Sequence, residues 1–314
     1  MVSKINERIY WIDWAKALGI WLVVFGHAPA KGHIFIYMFH MPFFFIISGF
    51  LYKKGGFTKE VKKITRGLLY PYLIYNFILL IVAFLIGDFQ NDMICNILLG
   101  NQEGISVRYF SPLWFLVALS LMRLMSSIII SQRLIILAFI CIIVSVFLYN
   151  GNYFSYDFDY FQFCTTLICF PFFLFGRIIK LNFDKFNLLK ISSLWFVLGW
   201  GILAWIGYYN GPVNIFRATM AGDSIIVFYL VGGGLSFILL KLISIYLNKK
   251  CELVEYISKG TLFILCTHQF VIISIDKIYP LSTIPSMGLS CLICFFSIFI
   301  IKVLMQYCPI FIGK

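Results

Sequence analysis

The first apolar segment of the chain, residues 11–27, carries ionisable groups within a stretch long enough to cross a bilayer. Its sequence, WIDWAKALGIWLVVFGH, contains Asp13, Lys16 and His27. An ionisable side chain inside a membrane span costs roughly several kcal/mol unless it faces a cavity or a partner. At about 100° per residue, Lys16 and His27 are three turns plus roughly 20° apart, and Asp13 lies three positions before Lys16. The three groups therefore share one face of a predicted helix, with about 16 Å along its axis between Lys16 and His27.

The composition places most of the chain in a membrane. Of its 314 residues, 61% are hydrophobic and 12% are charged, whereas a soluble domain is about one quarter charged. The net charge is +12, but the basic residues lie in short segments between apolar runs, which favours membrane topology over nucleic-acid binding. The nine cysteines are scattered, and the pair Cys291 and Cys294 is typical of apolar packing. We predict one integral membrane domain over residues 1–314, with an uncleaved first segment and no appended soluble domain.

Apolar runs of membrane-spanning length occur ten times. The predicted spans are residues 10–27, 34–51, 68–87, 111–130, 134–149, 160–178, 193–208, 223–246, 257–279 and 284–305. They predict an all-α fold, a polytopic membrane bundle of about ten transmembrane helices. With a cytoplasmic N-terminus, seventeen lysines and arginines fall in inner segments, and only four fall in outer ones (Lys31, Arg108, Arg217 and Lys277). This bias predicts that both termini are cytoplasmic.

Histidines at similar predicted depths indicate a shared cavity. The second span runs back inward and places His40 level with His27. His268, in the middle of the ninth span, is either a packed core histidine or another wall of the same cavity, and His33 is expected to be solvated in a short outer loop. A histidine at the end of a span is by itself more often an interfacial residue. Its alignment with Lys16 makes His27 a candidate general base, because a free imidazole titrates at about pH 6.5. The histidines lack a carboxylate cluster, so no metal site is predicted.

The most basic segment, KKGGFTKEVKKITRGLLYPY at residues 53–72, is predicted to be a loop on the inner side. Lys63 and Arg66 in this segment either reflect the excess of basic residues in cytoplasmic loops or bind phosphate groups. The sequence leaves both interpretations open. Ser48 and Gly49 lie deeper, where small residues permit close helix contact. Basic groups on the inner side and His27 on the outer side suit a cytoplasmic acyl thioester such as acetyl-CoA, with an acceptor hydroxyl presented from outside.

Several short motifs occur in the order found in a family of membrane enzymes. Lysine, ten residues and then histidine, preceded by Ile12 and Asp13, form the first motif. The others are FHMPFFFIISGFLYKK at 39–54, KITR at 63–66, SPLWFL at 111–116, FLFGR at 173–177 and GTLFILCTH at 260–268. Together they resemble the acyltransferase-3 family of bacterial membrane acyltransferases, in particular short members similar to fucose 4-O-acetylase.

The resemblance implies ten spans, a catalytic His27 and a donor contact at Lys16. It also implies acetyl-CoA or another acyl-CoA as donor substrate, no bound cofactor, and a surface polysaccharide or its lipid-linked precursor as acceptor at the bacterial inner membrane. The predicted site residues are His27, Asp13 and His40 for catalysis, Lys16, Lys63 and Arg66 for the donor, and Ser48, Trp114 and His268 for the cavity or acceptor.

Two other functions remain open from the residues. A transporter or flippase would use the buried Asp13, Lys16 and histidines as a pathway for a glycan or a small anion. A structural partner of glycan synthases would form no acyl product.

Overall fold

The computed structural model describes residues 8–30, 33–100, 111–151, 159–189, 192–211, 213–214 and 220–314. Helices make up almost all of the regular structure there, and the strands within these ranges are one antiparallel pair, Val213–Asn214 with Met220–Ala221. A membrane span must satisfy its backbone hydrogen bonds internally, which is why long apolar runs form helices. The prediction of an all-α fold is confirmed apart from this small pair.

Fifteen α-helices, which we number in chain order, one π-helix and several 3₁₀ turns lie in the described ranges. The first part of the chain contains α1 (Tyr10–His27), α2 (His33–Tyr37), α3 (His40–Leu51), α4 (Phe57–Ile64), the π-helix (Thr65–Leu69), α5 (Tyr70–Leu85), α6 (Asp92–Leu98), α7 (Trp114–Ile128) and α8 (Leu134–Asn150). The second part contains α9 (Phe163–Leu181), α10 (Phe183–Leu188), α11 (Ser193–Tyr209), α12 (Ile225–Tyr246), α13 (Glu252–Lys259), α14 (Thr261–Ile278) and α15 (Thr283–Tyr307). A 3₁₀ turn at Pro309–Ile312, which we call the C-terminal turn, follows α15.

Six helical segments of the described chain are long and apolar enough to cross a membrane. They are Phe57–Leu85, Ser131–Asn150, Tyr160–Leu181, Ile225–Tyr246, Thr261–Ile278 and Thr283–Tyr307. Three shorter apolar stretches are Phe35–Leu51, Trp114–Ile128 and Ser193–Tyr209. Helix α1 occupies the first predicted span, residues 10–27, and its ionisable groups make it less apolar. The protein is therefore a multi-pass membrane protein. The count of ten spans and the side of the termini remain predictions.

The second predicted span is not one continuous helix. It is divided into α2 and α3, with Met38 and Phe39 between them. Pro42 lies in the first turn of α3 and has no N–H to donate to the carbonyl of Met38, so a new helix start is favoured there. Ser236 Oγ lies 3.3 Å from the Phe39 carbonyl, to which it can donate. His40 consequently begins a helix, and His33 begins another rather than lying in a loop.

The basic segment at residues 53–72 is mostly helical, so the predicted loop is wrong. Helix α4 begins at Phe57 and continues through the π-helix into α5. Pro71 cannot donate to the carbonyl of Gly67 four residues earlier, and the Tyr70 N–H bonds to the Thr65 carbonyl, five residues back. The ninth predicted span also begins differently, because α13 ends at Lys259 and α14 begins after Gly260. A Cβ atom at Gly260 would lie 2.2 Å from Ile301 Cδ1.

Helices α3 and α9 cross in very close contact at the centre of the bundle. A Cβ atom at Gly49 would lie 1.9 Å from the Phe173 carbonyl oxygen, and one at Gly176 would lie 2.0 Å from the Ile46 carbonyl oxygen. The two backbones therefore approach each other through a glycine on each side. Around this crossing lie the largest fully buried aromatic side chains, Phe39, Phe43, Phe45, Phe170, Phe173 and Phe228.

Candidate functional site

Helix α1 holds the ionisable groups predicted for the site, and the structure separates them into two regions. Asp13 and Lys16 are partly buried near its beginning, and His27 is half-buried at its last residue. Because Asp13 precedes His27 by fourteen residues, about 21 Å of helix axis separates them. The structure therefore does not bring Asp13 to the imidazole.

Ser258 links Asp13 and Lys16 at the beginning of α1. Its side-chain Oγ donates to Asp13 Oδ1 at 2.6 Å, and its backbone carbonyl accepts a hydrogen bond from Lys16 Nζ. Ser258 is 2% exposed, so these contacts hold α1 against α13 in a largely dry environment. Asp13 Oδ2 accepts a further bond from Arg8 Nε at 2.8 Å. Asp13 thus positions Lys16 through a shared serine.

Charged side chains from two parts of the chain surround this linkage. Arg8 Nη1 and Lys259 Nζ both donate to Glu255 Oε1, the latter at 2.6 Å. The hydrogen bond from Lys259, together with the charge of Arg8, holds the pKa of Glu255 below its usual range. The hydrogen bond to Asp13 raises the pKa of Arg8.

Three histidines from distant parts of the chain meet at the other end of α1. The ring centroid of His27 lies 5.0 Å from that of His268 and 6.5 Å from that of His40. Tyr37 completes the group, with its ring centroid 6.0 Å from His27 and 5.1 Å from His40. His40 and His268 are buried, whereas His27 is half-buried. The structure therefore brings His40 close to His27, as their predicted depths indicated, and it adds His268, for which the sequence left two interpretations open.

The backbone fixes the tautomer of each histidine in this cluster. In each ring, Nδ1 contacts the carbonyl oxygen four residues earlier: His27 on Val23 at 2.8 Å, His40 on Ile36 at 2.9 Å, and His268 on Ile264 at 2.8 Å. A carbonyl oxygen only accepts, so each Nδ1 carries a proton, and Nε2 of the neutral ring carries the lone pair. Such an Nε2 atom can accept a proton from a substrate hydroxyl.

An open cleft of about 610 Å³, the His27 cleft, reaches this cluster. Its lining combines the end of α1 with Tyr37 and the residues just before α15, and consists of Gly26, His27, Ala28, Pro29, Ala30, Tyr37, Leu281, Ser282 and Thr283. The cleft gives a ligand access to the His27 ring while His40 and His268 lie behind it.

A second cavity, the Lys16 cavity, lies on the other side of the cluster. Its volume is about 160 Å³, and Lys16 and Ser48 are polar groups in an otherwise largely apolar lining. Met41, next to His40, and Leu265, three residues before His268, line it as well. The histidine cluster therefore lies between the Lys16 cavity and the His27 cleft.

The remaining predicted residues, Lys63, Arg66 and Trp114, do not line the Lys16 cavity. Lys63 Nζ is 3.6 Å from the buried Glu60 Oε2, and Arg66 is exposed on the π-helix. Arg123 donates to Glu60 Oε1 through Nε and Nη2 at 2.8 and 2.6 Å, which fastens α4 to α7. Trp114 is buried, with its ring centroid 6.3 Å from Phe115, which does line the cavity.

The sequence analysis did not identify several residues of the site. Ser258, Glu255 and Arg8 are ordinary polar residues in the sequence, and their roles depend on α13 packing against α1. The contact of Tyr37 with His40 could have been predicted from the sequence. Tyr37 precedes His40 by three residues, and side chains at that spacing approach each other on a helix. Within the described residues, no group of three or more His, Cys, Asp or Glu side chains is arranged to hold a metal ion.

The fold is that of a multi-pass membrane protein, in which three histidines lie together beside an open cleft and a smaller cavity. Residues 9–305 match the acyltransferase domain of the acyltransferase-3 family, and the chain belongs to that family. The match covers all the site residues except Arg8, so the protein is an acyltransferase. Neither a curated protein nor a solved structure matches the chain.

Proposed function

We propose that the protein transfers an acetyl or other short acyl group from cytoplasmic acyl-CoA to a hydroxyl of a surface polysaccharide or of its lipid-linked precursor. The observation that carries this proposal is the position of the histidine cluster between two separate cavities. Such an arrangement suits two substrates that arrive from opposite sides of a membrane. Family membership favours acyl transfer over the transporter alternative.

His27 is the general base in this mechanism. The neutral ring has its proton on Nδ1, held by the Val23 carbonyl, and Nε2 takes the proton of the acceptor hydroxyl. The hydroxyl oxygen attacks the thioester carbonyl, so a C–O bond forms and the C–S bond breaks. The proton on His27 Nε2 then passes to the departing thiolate, and the neutral imidazole is restored. His40 and His268 lie behind His27, away from the open cleft, and limit the access of water from that side.

The donor lies along α1 with its polar end near Lys16. About 16 Å of helix axis separates Lys16 from His27, a distance suited to a long and slender pantetheine arm. Lys16 contacts the donor, with Ser48 beside it in the Lys16 cavity. Lys63 and Arg66 on the neighbouring helical segment provide further positive charge for the phosphates. Trp114 supports the cavity wall through Phe115.

The excess of basic residues in the predicted inner segments supports a cytoplasmic location for both termini and for the Lys16 end of α1. The His27 cleft then opens on the outer face, where the glycan acceptor is presented. The resemblance of the motifs to those of bacterial membrane acyltransferases supports a location in the bacterial inner membrane.

Acyl transfer from labelled acetyl-CoA to glycan by the protein in membrane vesicles tests the proposal. Mass spectrometry of the glycan with and without the protein identifies the group added. His27→Ala is expected to lower the rate by about 100-fold or more, because a general base contributes a factor of that size. His33→Ala changes the remaining histidine and is the matched control. Equal rates for wild type and His27→Ala, at equal amounts of folded protein, would exclude His27 as the base.

A further inference from the structure

The segment that follows α15 turns back toward the Lys16 cavity. Its C-terminal turn, Pro309–Ile312, packs on α5, where Tyr75 Oη donates to the Phe311 carbonyl at 3.0 Å. The rings of Tyr75 and Phe311 also contact each other, with centroids 5.9 Å apart. These contacts fix the segment against the bundle.

Gly313 brings this segment to the edge of the cavity. Its φ of +72° is in the left-handed region that favours glycine, and a Cβ atom there would lie 2.6 Å from the Gly67 carbonyl oxygen. The same Cβ atom would lie 3.2 Å from Leu262 Cδ1. Leu262 and Leu68, the residue after Gly67, both line the Lys16 cavity. Gly313 therefore lies at the rim of that cavity, between the π-helix and the beginning of α14.

Lys314 adds positive charge at this rim. Its side chain is exposed, and its charge is close enough to repel those of Lys16, Arg8 and Lys259. Partial burial, followed by the charges of Lys259 and Arg8, lowers the pKa of Lys314. Asp13 and Glu255 bond to Arg8, and Glu255 also bonds to Lys259. Among these side chains four cations share two acids, so the side chains at the rim leave a net positive charge that an anion would neutralise.

We propose that Lys314 binds phosphate at the rim of the Lys16 cavity, together with Arg8, Lys16 and Lys259. The inference rests on the proposed function, in which a CoA thioester enters this cavity, and it names the residues that hold the phosphate end. The ammonium group of Lys314 is a point charge on a flexible side chain, which suits contact with a phosphate group at the mouth of the cavity. Lys16 lies deeper, and its Nζ atom donates a hydrogen bond to the Ser258 carbonyl. The C-terminal turn positions Lys314 for this contact.

Binding of CoA and of inorganic pyrophosphate to the purified full chain in detergent tests the proposal. Lys314→Glu is expected to weaken both affinities by about threefold to tenfold at low salt, since it replaces an attraction between exposed charges with a repulsion. This loss of affinity should be smaller at high salt, because salt screens the interactions between exposed charges. Lys314→Arg should bind as wild type does. Lys185→Glu, the same charge change on the exposed surface of α10, is the matched control and should bind nearly normally.

Gly313→Ala gives a second test that leaves the charge unchanged. Its side chain would strain the backbone and meet Gly67, so the segment should move and the affinity for both probes should fall. Unchanged affinities in both Lys314→Glu and Gly313→Ala would overturn the role of Lys314. Pyrophosphate binding that depends on Lys314, without any CoA binding by wild type, would keep the phosphate site and remove acyl-CoA as the donor.

Discussion

His27 and His268 lie with their ring centroids 5.0 Å apart and their planes 72° from parallel, although 241 residues separate them in the chain. Each ring has its Nδ1 atom on a carbonyl oxygen of its own helix, at 2.8 Å in both cases. His268 Nε2 is buried and has no hydrogen-bond partner among the described residues. A buried polar atom without a partner is costly, and a ligand atom or water at the cluster would satisfy it.

His268→Leu should therefore separate function from stability. The substitution removes the unpartnered Nε2 atom and introduces an apolar side chain of similar size, so we expect a small change in the melting temperature. We expect acyl transfer to fall by about tenfold or more, because the imidazole beside His27 is lost. Transfer rates and thermal unfolding of the same preparation check this. A large drop in melting temperature with normal transfer per folded molecule would assign His268 a packing role.

Lys16 should tolerate arginine but not alanine. Arginine keeps the charge near the Lys16 cavity, whereas alanine removes both the charge and the bond to the Ser258 carbonyl. We expect Lys16→Ala to lose about tenfold or more in kcat/KM for the acyl donor, since a charged hydrogen bond contributes at least that factor. Donor titrations of both variants measure the effect. Equal activity in the two variants would rule out a donor contact at Lys16.

Gly49→Ala should destabilise the bundle at the crossing of α3 and α9. The added methyl group would lie 1.9 Å from the Phe173 carbonyl oxygen, so the two backbones must separate. We expect a loss of about 1–3 kcal/mol or more in the free energy of unfolding. Gly288→Ala in α15 is the matched control, since nothing lies within 4 Å of its new methyl group and alanine favours helices. Thermal unfolding in detergent should rank Gly49→Ala lowest, and similar melting temperatures would contradict the close crossing.

The ion pairs of Glu255 should make part of the stability depend on pH. Lys259 and Arg8 lower the pKa of Glu255 in the folded protein, so its contribution is fully present above the unfolded value of about 4.3. That contribution is lost as the pH falls through the lower, folded pKa. Between about pH 6 and pH 3, the melting temperature of wild type should therefore fall more than that of Glu255→Gln. Glu252→Gln, in the same helix, should follow wild type; parallel curves for wild type and Glu255→Gln would refute this coupling.

Much of the architecture was accessible from hydropathy because a bilayer selects helices of a set length. The bounds of α1 match the predicted span, and each of the six membrane-length helical segments overlaps a predicted span. The breaks within the second and ninth predicted spans were not predicted, because each depends on a single residue inside a long run of similar residues. Pro42 divides the second span, and Gly260 divides the ninth at a contact with Ile301.

The candidate site was predictable in part. The position of Lys16 and His27 on one face of α1 follows from helical periodicity, which relates residues within a single helix. The linkage of Asp13 to Lys16 through Ser258 was not predictable, because it depends on how α13 packs against α1.

The sequence by itself determined a helical membrane protein, its family and the polar face of α1, since hydropathy, motif order and periodicity are local properties of the chain. Tertiary structure alone decided that His268 joins His27 and His40, that two cavities flank the three rings, and that Lys314 returns to the mouth of one cavity. These relationships depend on the packing of distant helices, where shape and close backbone contacts such as that of Gly49 with Phe173 determine which faces meet.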